Sequence, residues 1–297
     1  MTAISESVLI ESKAARDDQL ELNDYKRGVS DSYDRRSQTY DDSGWHVQIC
    51  HRLLEYSQVR AGQRVLDIGT GTGHLAIAAA QTVGDQGQVI GIDISAGMLK
   101  QAQSKVDALG LKNVEFQLAD AEALDYPLNH FDQILCANTF PWMEHKEATL
   151  RLWYQLLKPG GRIGVHTPAD TAYVGAVVLR RILARYNISL EASNRIGSIE
   201  QCQNLFSKAG FEAVEVKTEQ HGSYTSLDKA KATWEGVVVH PLSTSLKVSG
   251  NGLSELTSAQ LAQAKAEFEA ELESFQTNQG IWDDLTTLYI LGRKAEK

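Results

Sequence analysis

Two aspartates and a glycine-rich turn carry the most chemistry in this sequence. The run Val65-Leu66-Asp67-Ile68-Gly69-Thr70-Gly71-Thr72-Gly73-His74 reads as a short apolar strand, a turn of alternating glycines and the start of a helix. Glycine is needed where the backbone takes positive φ or where a ligand lies against it. The free N–H groups at the start of the helix suit an anionic group, with Thr72 expected as its N-cap. Asp67, two residues before the first glycine, suits a ligand with positive charge instead. Asp93 ends the next strand, where a carboxylate can accept two hydrogen bonds from a ribose diol. Asp120 follows the strand after that. Three consecutive strands ending in or near a carboxylate predict a pocket for a cationic nucleoside with a free ribose.

Other nucleotide loops fit less well. A dinucleotide fingerprint places glycines at 69, 71 and 74, but position 74 is His, which obstructs the close helix–strand packing the third glycine permits. No Lys-Ser/Thr pair follows the glycines, which excludes a triphosphate loop.

The elements that must position these residues alternate. Strands are predicted at 64–68, 88–92, 114–118, 131–135 and 162–166, with helices between them at 75–80, through Met98 to Leu109, and at 147–157, the last stopped by Pro159 and Gly160. This alternation predicts a doubly wound parallel sheet that binds ligands at the carboxyl ends of its strands. A helix begins at Trp45. Beyond residue 168 the pattern predicts helices at 176–186, 199–209, 229–239 and 258–275 and strands at 212–217 and 285–291. Leu261, Ala264, Phe268, Leu272 and Phe275 fall on one stripe that reads as a core-facing seam.

Composition bounds the rest. The 297 residues carry 29 Lys and Arg against 38 Asp and Glu, a net charge of −9, with 42% hydrophobic and 23% charged residues. That is a globular composition, and its acidity argues against a nucleic-acid backbone or an anionic membrane as the main partner. The stretch 1–25 has no apolar core of the signal-peptide kind. No apolar run approaches the roughly 18 residues of a membrane span, so no stable membrane insertion is expected. Cys50, Cys136 and Cys202 are odd in number and far apart, which predicts neither a disulfide framework nor a metal knuckle, and a cytoplasmic location follows. The histidines lack a close metal-ligand spacing. Oligomeric state is not legible.

The blocks VLDIGTGTG, GIDIS with Met98-Leu99, LADAEALDYP, FDQIL and LKPGGRI, in that order over residues 63–167, resemble a class I S-adenosylmethionine-dependent methyltransferase. The chain is similar to the branch that holds the ubiquinone/menaquinone-biosynthesis enzymes and small-molecule methyltransferases of natural-product pathways. The segment from Tyr33 to Asp41 resembles that branch's tyrosine-containing N-terminal lid, more loosely.

The resemblance implies an α/β, Rossmann-like sheet of seven mostly parallel strands with an antiparallel last strand, a helical N-terminal lid and a helical insertion after the fifth strand. Residues 1–60 would be tail and lid. Residues 61–297 would form the methyltransferase domain, with substrate-capping helical additions at 168–194 and 226–275. The cofactor implied is S-adenosyl-L-methionine, released as S-adenosyl-L-homocysteine. Asp67 would hold the methionine amine, Gly69, Gly71 and Gly73 the methionine half, and Asp93 the ribose hydroxyls. Ile94 and Met98 would flank the adenine, Asp120 would accept from its amino group and the N–H of Ala121 would meet a ring nitrogen. Asn138 would lie under the sulfonium region, with Tyr33 touching the cofactor from the lid.

Methyl transfer from a sulfonium is an in-line displacement for which placement supplies most of the catalysis, and a base helps only where the acceptor must lose a proton. The candidates for that base are His145, after the fourth strand, His166, closing the fifth, and Tyr40 of the lid, with His46 beside it. Phe140, Trp142 and Trp234 are candidate walls of an apolar acceptor pocket. Asn138-Thr139-Phe140-Pro141-Trp142 departs from the Asn/Asp-Pro-Pro-aromatic motif of amino-group methyltransferases. The expectation is methyl transfer to a small or medium organic acceptor, a secondary metabolite, with oxygen slightly favoured over nitrogen or carbon. The alternatives are a methyltransferase fold that binds the cofactor but catalyses another reaction, such as a cyclisation, a non-catalytic binding module, and an NAD-type dehydrogenase.

Overall fold

The computed structural model describes residues 20–42, 44–191, 196–239, 247–248, 253 and 256–297. Its centre is the sheet predicted from the strand–helix alternation. The first half runs α1 (Asp24–Arg36), a 3₁₀ turn (Tyr40–Asp42), α2 (Trp45–Ser57), β1 (Arg64–Ile68), α3 (His74–Val83), β2 (Gln88–Asp93), α4 (Ala96–Leu109), β3 (Val114–Leu118), β4 (Phe131–Ala137), α5 (Lys146–Leu156) and β5 (Leu157–Pro168). The second half runs α6 (Val174–Ala184), β6 (Leu190–Glu191), α7 (Ile199–Lys208), β7 (Glu212–Glu219), β8 (Ser223–Thr225), α8 (Leu227–Trp234), β9 (Lys247–Val248), α9 (Ser258–Ser274), β10 (Ile281–Asp283) and β11 (Thr287–Arg293).

The seven-stranded order is β3-β2-β1-β4-β5-β11-β7. Strands β3 to β5 pair in parallel, while β11 lies antiparallel between β5 and β7. The chain reverses its strand order beside β1, and β1, β2 and β4 deliver the loops of the site from adjacent carboxyl ends. Leu66, Ile68, Ile134 and Val165 are buried on one face under α5 and α7, and Val65, Val89, Leu135 and Tyr289 on the other under α2 and α3. Both faces of the central strands are covered, so β1 and β2 carry apolar runs, while β3 and β7 at the sheet edges interleave polar and charged residues.

A second core joins α6, α8 and α9 around Leu179, Trp234 and Phe268. The predicted seam holds at Ala264, Phe268 and Leu272, but Phe275 is exposed because the helix ends at Ser274. Predicted as one helix at 229–239, the chain instead forms α8 and then a π-helical turn at Glu235–Val239. Positions 192–194 of the expected capping addition and most of the stretch 240–255 lie outside the described residues, as do residues 1–19.

Candidate functional site

The glycine turn takes the shape its sequence requires. Gly69, Gly71 and Gly73 have φ of +65°, +55° and +86°. A Cβ on Gly69 would stand 2.1 Å from Thr139 Oγ1, so the loop after β1 touches the loop after β4. A Cβ on Gly73 would stand 2.9 Å from that of Ala102. The close packing of α3 on its neighbour is therefore met at Gly73, which leaves position 74 free to carry a side chain. Gly71 faces open space, with only Tyr40 near it, at 3.9 Å from the Cβ position. Thr72 is not the N-cap of α3: Gly73 takes that position without a side-chain bond, and the Thr72 hydroxyl donates to Asp41 at 2.6 Å.

Two cavities flank this loop. The larger, about 730 Å³, runs from Gly69 and Gly71 past Asp93 and Ile94 to Asp120 and Ala121. The smaller, about 390 Å³, holds Asp67, Thr70 and Thr72 under His46 and Cys50. Tyr40, Gly69, Gly71, Ala137 and Asn138 line both. These five residues form a waist with one aspartate on each side. Asn138 reaches it with φ of +58°, its N–H donating to the His166 carbonyl at 3.2 Å.

The two carboxylates are held apart from any cation of the chain: among the described residues neither makes a salt bridge. Asp67 accepts from the Thr70 hydroxyl at 2.6 Å, and burial, reinforced by the charge of Asp93, pushes it up to about 7. Asp93 accepts from the N–H groups of Gly71 and Ser95, each at 2.9 Å, and burial pushes it up to about 6. Two carboxylates withdrawn from water, Asp67 fully and Asp93 in part, and without a cation favour a positively charged ligand, which restores the charge balance. An elongated ligand with a polar, cationic end at Asp67 and a diol at Asp93 fits this donor set, and the open face of Gly71 leaves it room.

A lid closes the open side. Along α1 and the 3₁₀ turn, successive side chains reach the loops after β3, β2 and β1 in order. Lys26 pairs with Asp120 at 2.6 Å and Glu122 at 2.8 Å. Ser30 donates to the Ile94 carbonyl at 2.8 Å, and Asp34 accepts from Ser95 Oγ at 2.5 Å and Gly97 N at 2.8 Å. Asp41 meets Thr72, His74 and Lys105. Tyr33 stands edge-on to Trp142 at 5.7 Å, and Tyr40 stacks on His46 at 4.5 Å. Lys26, Asp34 and Asp41 were not among the residues expected to act, and no sequence pattern points to these contacts, which link positions far apart in the chain.

The expected site residues divide. Asp67, Gly69, Gly71, Asp93, Ile94, Asp120, Ala121, Asn138, Tyr33 and Tyr40 line the joined cavities. Asp120 differs in its partners: Lys26 takes one of its oxygens, and the Glu122 N–H donates to the other at 3.0 Å. Gly73 and Met98 lie behind the walls, Met98 fully buried. His145 caps α5 on the exposed side, with its N–H on Glu122 at 2.7 Å, and lines neither cavity. His166 is sealed at 0% exposure between Trp45 and Tyr289, and neither ring nitrogen has a partner among the described residues. Burial holds it neutral, down to about 3. Burial also lowers His46, to about 4. Of the three aromatic wall candidates only Trp142 lines the site; Phe140 packs on Trp153 and Phe206, and Trp234 on Phe268. The described residues hold no group of three or more His, Cys, Asp or Glu suited to a metal ion, and no helix among them is long and apolar enough to cross a membrane.

Comparison with known proteins bears on the same region. A family model described as "Methyltransferase domain" matches residues 60–230. The aklanonic acid methyltransferase DauC of Streptomyces sp. (strain C5) is 35% identical over 150 residues, which is 50% of this chain and 68% of DauC. The ubiquinone/menaquinone biosynthesis C-methyltransferase UbiE of Pseudomonas savastanoi pv. phaseolicola is 47% identical over 119 residues, 38% of this chain and 46% of UbiE, so less than half of that relative is spanned. In fold, the chain is similar to the Haemonchus contortus phosphoethanolamine N-methyltransferase 2 solved with phosphomonomethylethanolamine and S-adenosylhomocysteine, with a TM-score of 0.58 at 17% identity, covering 92% of this chain and 61% of that one.

Proposed function

The chain belongs to the methyltransferase-domain family and is an S-adenosylmethionine-dependent methyltransferase; from that premise we propose that it methylates a small or medium organic acceptor of the natural-product kind, at oxygen. The observation that carries the reading is the waist, where two cavities, one with the buried Asp67 and one with the half-buried Asp93, share the walls Tyr40, Gly71 and Asn138. The bound cofactor supplies a methyl group already activated on a sulfonium.

The residues of this chain then bind and orient. Asp67 holds the ammonium end and Asp93 the ribose hydroxyls. Ile94 packs on the base, with Asp120 and the Ala121 N–H at its polar edge. The glycine loop and Asn138 leave the waist narrow, which fixes the line of transfer, and alignment of this kind is worth several kcal/mol of barrier, about 7 or more in favourable cases. The lid excludes water from the reacting centre. The acceptor approaches past Tyr33, Tyr40 and Trp142. Neither His145 nor His166 is placed to take a proton from it: one is outside the site and the other is sealed.

Carbon is a second acceptor atom, favoured by the 47% identity to a relative named as a C-methyltransferase. The cyclase and binding-module alternatives gain no support from the relatives.

The test is thermal unfolding with S-adenosylmethionine, S-adenosylhomocysteine, NAD(H) and NADP(H), in wild type and Asp93→Ala, followed by mass spectrometry of an acceptor panel incubated with methyl-deuterated cofactor. At about 100 times the dissociation constant a ligand adds roughly 2.7 kcal/mol, which raises the midpoint by several degrees. The two sulfur nucleosides should stabilise the wild type only, and the label should appear on a hydroxyl or carboxyl oxygen. Stabilisation by NAD alone, or product without label, overturns the reading.

A further inference from the structure

Glu122 lines the larger cavity beside Asp120, and its carboxylate is shared between two elements that close on that cavity. On one side it meets the start of α5. Its Oε1 accepts from the His145 N–H at 2.7 Å and the Thr149 hydroxyl at 3.1 Å, and its Oε2 from the Glu144 N–H at 3.1 Å. On the other side it meets the lid, with Oε2 at 2.8 Å from Lys26 Nζ. The Glu122 side chain is 6% exposed, and Lys26 divides its ammonium between Glu122 and Asp120. Burial alone would raise the Glu122 carboxyl; Lys26 and the N–H groups of His145 and Glu144 outweigh it and hold the carboxyl below its ordinary range.

The chain that Glu122 grips is the wall past which the proposed acceptor approaches. Trp142 and Met143, the two residues before Glu144, line the larger cavity. Lys146, fully buried, holds the same turn from beneath through the Pro141 and Met143 carbonyls, at 3.2 and 2.7 Å. The start of the lid reaches it too: the Tyr25 hydroxyl donates to the Trp142 carbonyl at 3.3 Å, and Asn23 Nδ2 to Glu144 Oε2 at 2.8 Å. The grip of Lys146 comes from α5 itself and does not depend on the lid. The grip of Glu122 does, because one of its partners is the lid's ammonium.

Resting on the proposed methyl transfer, we infer that Glu122 is a positioning residue for the acceptor: it sets Trp142 and Met143 against the cofactor site and makes that setting depend on Lys26. With Lys26 in place the carboxylate has a cation and both oxygens are aligned between α5 and the lid. With Lys26 withdrawn, a charge largely removed from water loses its cation and turns toward solvent, which loosens its hold on the Glu144 and His145 N–H groups. The wall therefore takes its final place only with the lid down over the cofactor. In-line transfer depends on where the acceptor sits relative to the sulfonium, so a displaced wall slows transfer without altering the methyl donor.

The test is ¹⁹F NMR of protein labelled with 5-fluorotryptophan, free and loaded with S-adenosylhomocysteine, with Trp142 assigned by the line lost in Trp142→Phe. Glu122→Gln keeps an acceptor oxygen for the α5 N–H groups but offers Lys26 no charge. Lys26→Met removes the cation and leaves the helix cap in place. Each should move or split the Trp142 line in the loaded protein. The double variant should show no more than the effect of Glu122→Gln, because Lys26 acts on the wall through Glu122. Affinity for S-adenosylhomocysteine should fall by about fivefold or less in either variant. For an acceptor that takes up label, kcat/KM should fall by about tenfold or more. A carboxylate that only caps α5 would lower the unfolding midpoint of Glu122→Gln and leave the Trp142 line unmoved by Lys26→Met, and that result overturns the inference. Lys26→Met alone decides the matter in this way if Glu122→Gln does not fold. A Lys26→Met shift of equal size with and without Glu122→Gln assigns the coupling to Tyr25 and Asn23 and overturns it as well, as does an unchanged kcat/KM for the acceptor. Failure of the wild type to bind S-adenosylhomocysteine would instead remove the parent reading.

Discussion

Asp41 of the lid stands 2.9 Å from Nε2 of His74, the first residue of α3, and thereby ties the lid to the glycine loop. The same carboxylate accepts from Thr72 Oγ1 at 2.6 Å and pairs with Lys105 Nζ at 2.5 Å, while Lys105 also donates to the Thr72 carbonyl at 2.9 Å. These contacts hold the Asp41 carboxyl down at about 2, below the usual carboxylate range. The side chain at position 74 that disqualifies a dinucleotide fingerprint has a use here, because it helps hold the lid down.

A ligand bound under the lid should leave faster when this latch is loosened. Exposed ion pairs contribute about 0.2–1 kcal/mol each, and a network can reach the upper end. Asp41→Ala should therefore speed dissociation of S-adenosylhomocysteine by about fivefold, with His74→Ala and Lys105→Ala giving smaller changes in the same direction. Stopped-flow chase with unlabelled ligand reads this directly. Equal dissociation rates in wild type and Asp41→Ala would mean that the latch does not gate exit.

Cofactor affinity should depend on pH through Asp67 and Asp93. In the proposed binding mode each meets the ligand as a carboxylate, and burial has raised Asp67 to about 7 and Asp93 to about 6. Below these values the ligand must displace a proton. Affinity for S-adenosylmethionine should thus rise from pH 5 to about 7, by up to about tenfold per pH unit for each group titrating, and then level off. The free protein moves the other way: groups raised in the folded state bind more protons than when unfolded, so their contribution to stability falls as pH rises from about 4 to 7. Asp67→Asn should weaken binding at pH 8 and flatten the dependence between pH 6 and 8. Calorimetry across that range tests both signs.

Much of the sheet and its strand ends was legible from residue types. The central strands β1 and β2 are mostly apolar, and the carboxylates at 67 and 93 break that texture beside the two cavities. The lid was legible only as the Tyr33–Asp41 segment. Helix α1 buries just Val29 in its own span, so it has almost no apolar stripe to detect. It is held by polar contacts to three loops, which hydrophobic periodicity does not report. The bases were harder still. Sequence places His145 and His166 next to strand ends but does not say which way a side chain points; one caps a helix outward and the other turns under Trp45 into the core. Strands β8 and β10 also went unpredicted, at three residues each too short to show alternation.

Gly69 tests how tightly the loops after β1 and β4 must fit. A methyl group there would meet the Thr139 side chain at 2.1 Å, on a backbone with φ of +65° that a residue with a Cβ adopts only with strain. Gly69→Ala should lower the unfolding midpoint by several degrees, corresponding to about 1–3 kcal/mol, and weaken the cofactor by tenfold or more because the waist shifts. Gly69→Ala combined with Thr139→Gly removes the clash but not the φ strain, so it should recover part of the stability. Full recovery would mean that contact, and not backbone conformation, demands glycine at this position.

His166 offers a test that separates a structural histidine from a base. It is sealed, its ring nitrogens have no partner among the described residues, and burial holds it neutral down to about 3. Because its folded-state pKa lies below the unfolded one near 6.5, the unfolded chain binds the extra proton as pH falls from about 6.5 to 3. Stability carried by the neutral ring is therefore present above 6.5 and lost progressively through that window. His166→Phe should fit the aromatic slot between Trp45 and Tyr289 and remove two unsatisfied polar atoms, each of which costs about 1–3 kcal/mol when buried. Its unfolding midpoint at pH 5 should exceed that of wild type by more than it does at pH 7.5, and turnover of methyl donor should stay within about threefold, as it should for His145→Ala. A fall of a hundredfold or more in kcat for His166→Phe, with cofactor affinity intact, is the general acid–base signature. It would place this histidine in the reaction.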